Sequence, residues 1–337
     1  MPKEPQLWEI YQFPQIYPYK EMPSEFEKDY KANTKEQTER MVNLDTLVGI
    51  EIEVENIRSL MELHLFWQMK NDGSLRNNGK EFVSIPLKPH QIPYALQYLQ
   101  TQIEYKNQPK YTSRTSVHIH LNVRDMTKNE IKIMVLLYAL FERHFFNFVG
   151  TVRETSIFCV PLYRSRQLHS LLSTNLTTLC TEWHKYNALN CGTILGNDNV
   201  GNFGTIEFRH LYGTANREII CNWINQILLL KVAAKTITLK NLIEEIKTLN
   251  TTSEYAALYK NIFGEYAQMN TMTKNDFEYC VTMTKLALFG EDYEKTLNYY
   301  LPESNYYRNY AKRHSIKAHL YAKQMDLNEF LNNLLTE

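Results

Sequence analysis

The chain has 337 residues, 44% hydrophobic and 22% charged, a globular composition long enough for one large domain with extensions or for two ordinary domains. Lys plus Arg and Asp plus Glu each number 37, so no overall basic field draws the protein to nucleic acid or to an anionic membrane, and any polyanion site has to be local. The five cysteines are odd in number, scattered and without a CxxC pair, which argues for reduced thiols and against a disulfide framework or a zinc site.

Residues 1–44 read as an extended arm: Pro2, Pro5, Pro14, Pro18 and Pro23 interrupt regular structure, while Trp8, Tyr11, Phe13, Tyr17 and Tyr19 give it surface to bury along the main body. Its opening, MPKEPQLWEIYQFP, has no signal-peptide core. A charged stretch, residues 25–40, leads to a first strand at about 46–56. The turn-rich Asn71-Asp72-Gly73-Ser74 and Asn77-Asn78-Gly79 precede a strand at about 80–85, which Pro86 and Pro89 end, and a helix follows at about 91–102. After a strand holding His118 and His120, Thr127 or Asn129 caps a long helix through about Phe148, whose apolar breadth suits a buried partner of the sheet. Its longest apolar run, residues 134–141, is far below the roughly 20 residues that span a bilayer, so a soluble, cytoplasmic protein without a membrane partner is expected. Residues 153–173 look irregular and carry Tyr163-Arg164-Ser165-Arg166. A strand-like piece at 186–191, a Gly/Asn loop at 196–204 suited to approach a ligand, the strand of Glu207 and a helix at about 216–236 come next. From 237 to 337 the pattern is mainly helical, giving three regions: arm 1–44, catalytic domain 45–236 and helical C-terminal region 237–337.

Three strand-like runs each place ionisable residues two apart: Glu51 and Glu53 in VGIEIEV, His118 and His120 in SVHIHLNV, Glu207 and Arg209 in GTIEFRHL. Successive side chains on a strand face opposite ways. One sheet face is then Ile50, Ile52, Val54, Val117, Ile119, Leu121, Ile206 and Phe208, and the other carries carboxylates, imidazoles and a guanidinium. Such charge is kept on a central sheet only where the ions meet one another, a metal or an anionic ligand.

Glu51 and Glu53, with Glu55 on the same face, suit a divalent cation, since hard cations take several oxygen ligands; an edge strand with a solvated face would look the same. The two histidines fit a metal, a phosphate or a substrate carbonyl, or a purely structural pair. With no third His or Cys close in sequence, magnesium with one imidazole ligand is preferred to zinc. Glu81 adds a carboxylate on another strand, whereas Asp72 reads as a turn residue. The segment Gly73 to Lys80 is no P-loop, because five residues separate its glycines and Glu81 replaces the Ser or Thr. Glu207 and Arg209 set a metal ligand beside a phosphate ligand, or pair with charges on a neighbouring strand.

GIEIEV, NDGSLRNNGKEFVSIPL, SVHIHLNV, KYNALN and GTIEFRHLYGTANREIICNWI, in that order over about residues 46–232, resemble the amidoligase family of carboxylate-amine ligases, related to glutamine synthetase and glutamate-cysteine ligase. The resemblance implies an α+β fold with a curved, mainly antiparallel sheet of the glutamine-synthetase catalytic type, helices on its back, and ATP with two or more Mg²⁺ on its concave face, Mn²⁺ being able to substitute. It implies an acyl-phosphate route that joins a carboxylate substrate to an amine acceptor, a peptide or amino acid among the candidates, and releases ADP and phosphate. Carried over by motif, Glu51 and Glu53 belong to two different metal sites, Glu81 joining one and His118 with Glu207 the other. Arg209 meets the terminal phosphate, so Arg209, Glu81 and Glu207 are the implied catalytic residues. His120, Arg114, Arg153, Tyr186 and Asn190 are further candidates for ATP or substrate contacts. Ser116-Val117 departs from the small, glycine-containing lead-in of the family, on the substrate side. Two other classes use the same residues: a metal-dependent hydrolase or nuclease built on HxH and the carboxylates, and a non-catalytic binding protein. Nucleic acid is not expected as a bulk partner, and the aromatics of arm and tail are candidates for contacts in a homo-oligomer.

Overall fold

Alternation in VGIEIEV, SVHIHLN and TIEFRHLY, broken in the last only at Arg209-His210, gives β1 (Val48–Val54), β4 (Ser116–Asn122) and β6 (Thr205–Tyr212), three adjacent strands of a six-stranded sheet. The computed structural model of the chain describes residues 4–16, 24–58, 63, 66–104, 107–162, 168, 171, 175–197, 201–269 and 274–289. The strand order is β2 (Trp67–Lys70), β3 (Lys80–Ser84), β1, β4, β6, β5 (Leu189–Asn190), every pairing is antiparallel, and the sheet is open. β2 has no counterpart in the sequence reading, because its alternation, Trp67-Gln68-Met69-Lys70, is only four residues long.

The apolar face read from the sequence is the core. Ile50, Ile52, Val54, Val117, Ile119, Leu121, Ile206 and Phe208 are fully buried. Each such side chain contributes roughly 1.5–3 kcal/mol relative to an exposed one. Against this face lie α3 (Ile92–Glu104), α4 (Lys128–Val149) and α7 (Arg217–Thr236). Thr127 opens α4 with a capping box: its Oγ accepts from the Glu130 N–H, and Glu130 accepts from the Thr127 N–H at 2.7 Å. Asn216 caps α7, its side-chain oxygen accepting from the Ile219 N–H. Tyr138 and Phe145 of α4 and Trp223 of α7 form an aromatic cluster with Phe208 of the sheet.

Residues 4–16 lie along the body, with α1 (Leu7–Ile10) bonded through Leu7 and Trp8 N–H to the Met126 and Arg124 carbonyls. The rest of the expected extended arm differs: past Pro23 the sequence is free of proline and rich in Glu and Lys, and α2 (Ser24–Arg40) is helical and packs on α3. Two short helices, α5 (Leu176–Thr181) and α6 (Gly192–Leu195), flank β5. After α7 come α8 (Leu239–Thr248), α9 (Thr252–Phe263) and α10 (Lys274–Phe289). The Tyr163–Arg166 cluster, part of the Gly/Asn loop (198–200) and residues 290–337 lie outside the described residues. No described helix is long and apolar enough to cross a membrane.

Ile119 sits on the central strand with no exposed surface. Ile119→Ala is expected to lower unfolding free energy by about 2–5 kcal/mol, read as a lower urea midpoint at unchanged m-value; a shift inside measurement error would mean this strand is not the centre of the core.

Candidate functional site

Register brings the charged residues together. Glu51 lies directly across from His118, Glu53 across from Glu81, and His120 across from Glu207. Glu51 stands between the imidazoles, its Oε2 3.3 Å from His118 Nδ1 and its Oε1 3.4 Å from His120 Nε2. His118 Nδ1 is also 3.4 Å from Glu207 Oε1, and the Arg209 guanidinium pairs with that same oxygen.

Burial drives each carboxyl upward, and neighbours decide the outcome. At Glu51 burial is outweighed by His120 and His118, which hold the carboxyl well below its usual range. At Glu207 burial is likewise outweighed by Arg209 and His120. Burial depresses His120, but Glu51 and Glu207 reverse this and raise it. Glu81 goes the other way: burial, then repulsion from Glu51, pushes it up to about 7.

Two sets of ligand atoms result. Glu53, Asp72 and Glu81 each offer an oxygen, all within 4.8 Å of one another, and Glu51, His120 and Glu207 offer two oxygens and a nitrogen equally close. An oxygen-rich donor set with one imidazole fits hard divalent cations, and the strain on Glu81 is what a cation would relieve. The grouping separates Glu51 from Glu53, with Glu81 beside Glu53 and Glu207 beside Glu51. His120 completes the second set where the resemblance implied His118, although His118 Nδ1 points between the same two carboxylates.

Neighbouring residues hold these groups in place. Ser116 donates to Glu53 Oε2 through both N–H (2.8 Å) and Oγ (2.7 Å), and its Oγ meets His118 Nε2 at 2.8 Å. Asn190, fully buried, donates to Glu207 Oε2 at 2.7 Å and accepts from Gly192 N–H. Thr205 Oγ lies 3.0 Å from His120 Nδ1. The β4–β6 ladder slips between Val117↔Leu211 and Ile119↔Phe208, so Arg209 and His210 together face His118. Arg153, 6% exposed, closes this bulge by donating to both of its carbonyls, Arg209 O at 2.8 Å and His210 O at 2.9 Å. Arg209 Nε in turn donates to Phe158 O, beside which Tyr186 stacks edge-on.

Asn190 and Arg153 therefore act on Glu207 and on the bulge through the hydrogen bonds seen here, while Glu55 turns aside to accept from Arg76 N–H. Asp72, read as a turn residue, does both jobs: its Oδ1 accepts from Ser74 N–H at 2.7 Å and it joins the Glu53 set. Asn77 and Asn78, both with positive φ, carry that loop back toward β1, where Asn56 N–H bonds Asn77 O. Ser116 and Thr205 share strand parity with His118 and Glu207, so alternation was the signal that marked them.

A cavity opens at each end of the charged face. One, of about 570 Å³, reaches Glu51 and His120 between Lys70, Phe203 and the arm residues Pro14–Ile16. The other, of about 720 Å³, is lined by Arg76, Arg114 and Arg153, by the hydroxyls of Thr112, Ser113 and Thr115, and by Tyr212.

A family model described as "Putative amidoligase enzyme" matches residues 25–231, a span that begins with α2 and not with β1. No curated protein matches the chain. Among solved structures, one described as a "novel glutamine synthase homolog" aligns over 76% of this chain and 75% of its own, at 10% identity and a TM-score of 0.37.

Glu81 gives a direct electrostatic check. Its folded value near 7 exceeds the ordinary 4.5, so the protonated form is favoured on folding, and its contribution is complete below about pH 4.5 and lost as pH rises through 7. Without divalent cations, Glu81→Gln is expected to raise the melting temperature at pH 8 by about 2–4 °C, the size of roughly 1 kcal/mol relieved at a partly exposed site. At pH 4.5 the two proteins should melt together; equal melting at pH 8 would contradict the crowding of carboxylates.

Proposed function

The chain belongs to the amidoligase enzyme family, and from that premise we propose that it is an ATP-dependent carboxylate-amine ligase working through an acyl phosphate. The observation that carries the reading is the convergence, on one sheet face, of two cation-type ligand sets with a guanidinium beside one of them. In the proposed reaction a carboxylate oxygen attacks the terminal phosphorus of ATP and the bond to ADP breaks. The amine nitrogen then attacks the acyl carbon, phosphate leaves, and the amine gives up a proton, for a net product of amide, ADP and phosphate.

Phosphoryl transfer asks a protein mainly for positioning and for neutralisation of spread negative charge. Glu53, Asp72 and Glu81 would hold one divalent cation and Glu51, His120 and Glu207 another, with His118 adjoining. Bound there, Mg²⁺ supplies charge neutralisation and Lewis acidity toward phosphate oxygens. Arg209 contributes a planar cation whose Nε is fixed by Phe158 O and whose Nη1 is fixed by Glu207, leaving Nη2 without a protein partner among the described residues. Burial favours the neutral guanidine, but Glu207 and Glu53 keep Arg209 charged. The cavity of Arg76, Arg114 and Arg153 suits an anionic nucleotide, and Tyr212 offers a ring at its wall.

A hydrolase built on HxH would place both imidazoles on one ion. Only His120 joins a ligand set, and both sets are dominated by carboxylates, which favours the ligase reading.

Glu207→Gln preserves shape and the contact to Asn190 but removes charge, and it is expected to lower kcat at least about 100-fold with a retained circular dichroism spectrum. Activity within a few fold of the parent would count heavily against the site. With hydroxylamine in place of the unknown amine, an active carboxylate should give a hydroxamate together with ADP; AMP and pyrophosphate as products would contradict the acyl-phosphate scheme.

A further inference from the structure

Residues 14–16 lie outside the family match, yet they wall the cavity that opens on Glu51 and His120. Arg124 is the fastener. Its guanidinium lies 5.0 Å from the Phe13 ring centre, donates from Nη1 to Pro14 O at 2.8 Å, and donates from Nη2 and Nε to Phe203 O at 2.7 and 3.2 Å. Asn202 donates to Gln12 O at 3.1 Å, so the arm and the Phe203 loop are tied at two points. Gly204 adopts φ +65°, and a Cβ there would fall 2.5 Å from Arg124 side-chain atoms, so the close approach of loop and arginine requires glycine. Phe203 is 49% exposed and stands edge-on to His120, with ring centres 6.0 Å apart.

The lining has a definite chemistry. Ile16, Val83, Pro86 and Phe203 are apolar, while Lys70 and Arg124 bring positive charge near Glu51. Lys70 Nζ has no hydrogen-bond partner among the described residues. A volume of about 570 Å³ is far more than a free small amino acid needs and falls within the range of sites for ligands several residues in size.

We infer that this cavity selects the carboxylate donor, that the donor is a peptide-sized acid with apolar side chains, and that arm residues 14–16 are specificity determinants. The inference rests on the amide-ligase reading and names its substrate class. An amine substrate would carry its ammonium toward Lys70 and Arg124, whereas an acid meets them with opposite charge.

Calorimetry with trileucine, L-leucine and trileucine amide as probes tests this on the full chain with Mg²⁺. Trileucine is expected to bind at least about tenfold more tightly than either of the others, the scale of one well-placed contact in a pocket. Phe203→Ala and Ile16→Asp should each weaken trileucine about tenfold while changing ADP affinity less than twofold, which also reports that both variants fold. Equal affinity for trileucine and its amide, equal affinity for leucine, no binding of trileucine, or variants that leave its affinity unmoved would each overturn the inference. Carboxylate-dependent ADP release surviving any of these results would leave the ligase reading intact; its absence with every acid would remove that reading separately.

Discussion

Glu51 lies 3.3 Å from one imidazole and 3.4 Å from another on the middle strand of an otherwise dry sheet, and the whole face is organised by that compensation of charge. A buried carboxylate without a partner costs several kcal/mol, and a buried cation costs as much. Here Glu51, His118, His120, Glu207 and Arg209 neutralise one another in a connected set, so β1, β4 and β6 can stay adjacent with ionisable groups directed one way and aliphatic groups the other. The set is uneven. Around Glu207 the carboxylates are held ionised by nearby cations, whereas Glu81, close to Glu51 and Glu53, is pushed toward its protonated form. That imbalance places the unmet demand for positive charge beside Asp72 and Glu81.

The two ends of the face differ in character. At the Ser116 and Tyr212 end three arginines and a row of hydroxyls suit phosphate, and at the Gly49 and Thr205 end an apolar wall with fewer charges suits a carbon skeleton. The bulge in β6 connects this geography to the back of the sheet: Arg209 remains on the charged face, while His210 enters the core and bonds the Tyr138 hydroxyl at 2.7 Å. Arg153 satisfies the carbonyls of both residues, so the position of the Arg209 guanidinium depends on a side chain that lines the arginine-rich cavity itself.

Much of this was legible in the strands, for a simple reason. Alternation has a period of two, so any residue sharing parity with Glu51, His118 or Glu207 shares their face, and the apolar set followed from the same rule. The family motifs implied two ligand sets without saying which of Glu51 and Glu53 goes with Glu81; the geometry sets Glu81 beside Glu53 and Glu207 beside Glu51. Three parts were hidden. Asp72 was taken for a turn former, which it is, because one residue's Asx turn says nothing of where the loop lands. β2 is hidden because its alternation, with Trp67 buried under α3 and donating its indole N–H to Ala95 O and with Gln68 and Lys70 exposed, runs for only four residues. The helix α2 was obscured by the prolines before it, although it has no proline of its own and is included in the family match.

Local pattern alone encodes which side chains share a face, where α4 and α7 begin, and that the charged face needed partners, since these are consequences of backbone geometry and capping. Long-range packing sets which strand neighbours which, the one-residue slip of the β6 ladder at Arg209, the hold of Asn190 and Ser116 on the carboxylates, and the closure of one end of the groove by residues 14–16. Those outcomes depend on contacts between segments tens to hundreds of residues apart, whose loop closure and packing no local pattern encodes.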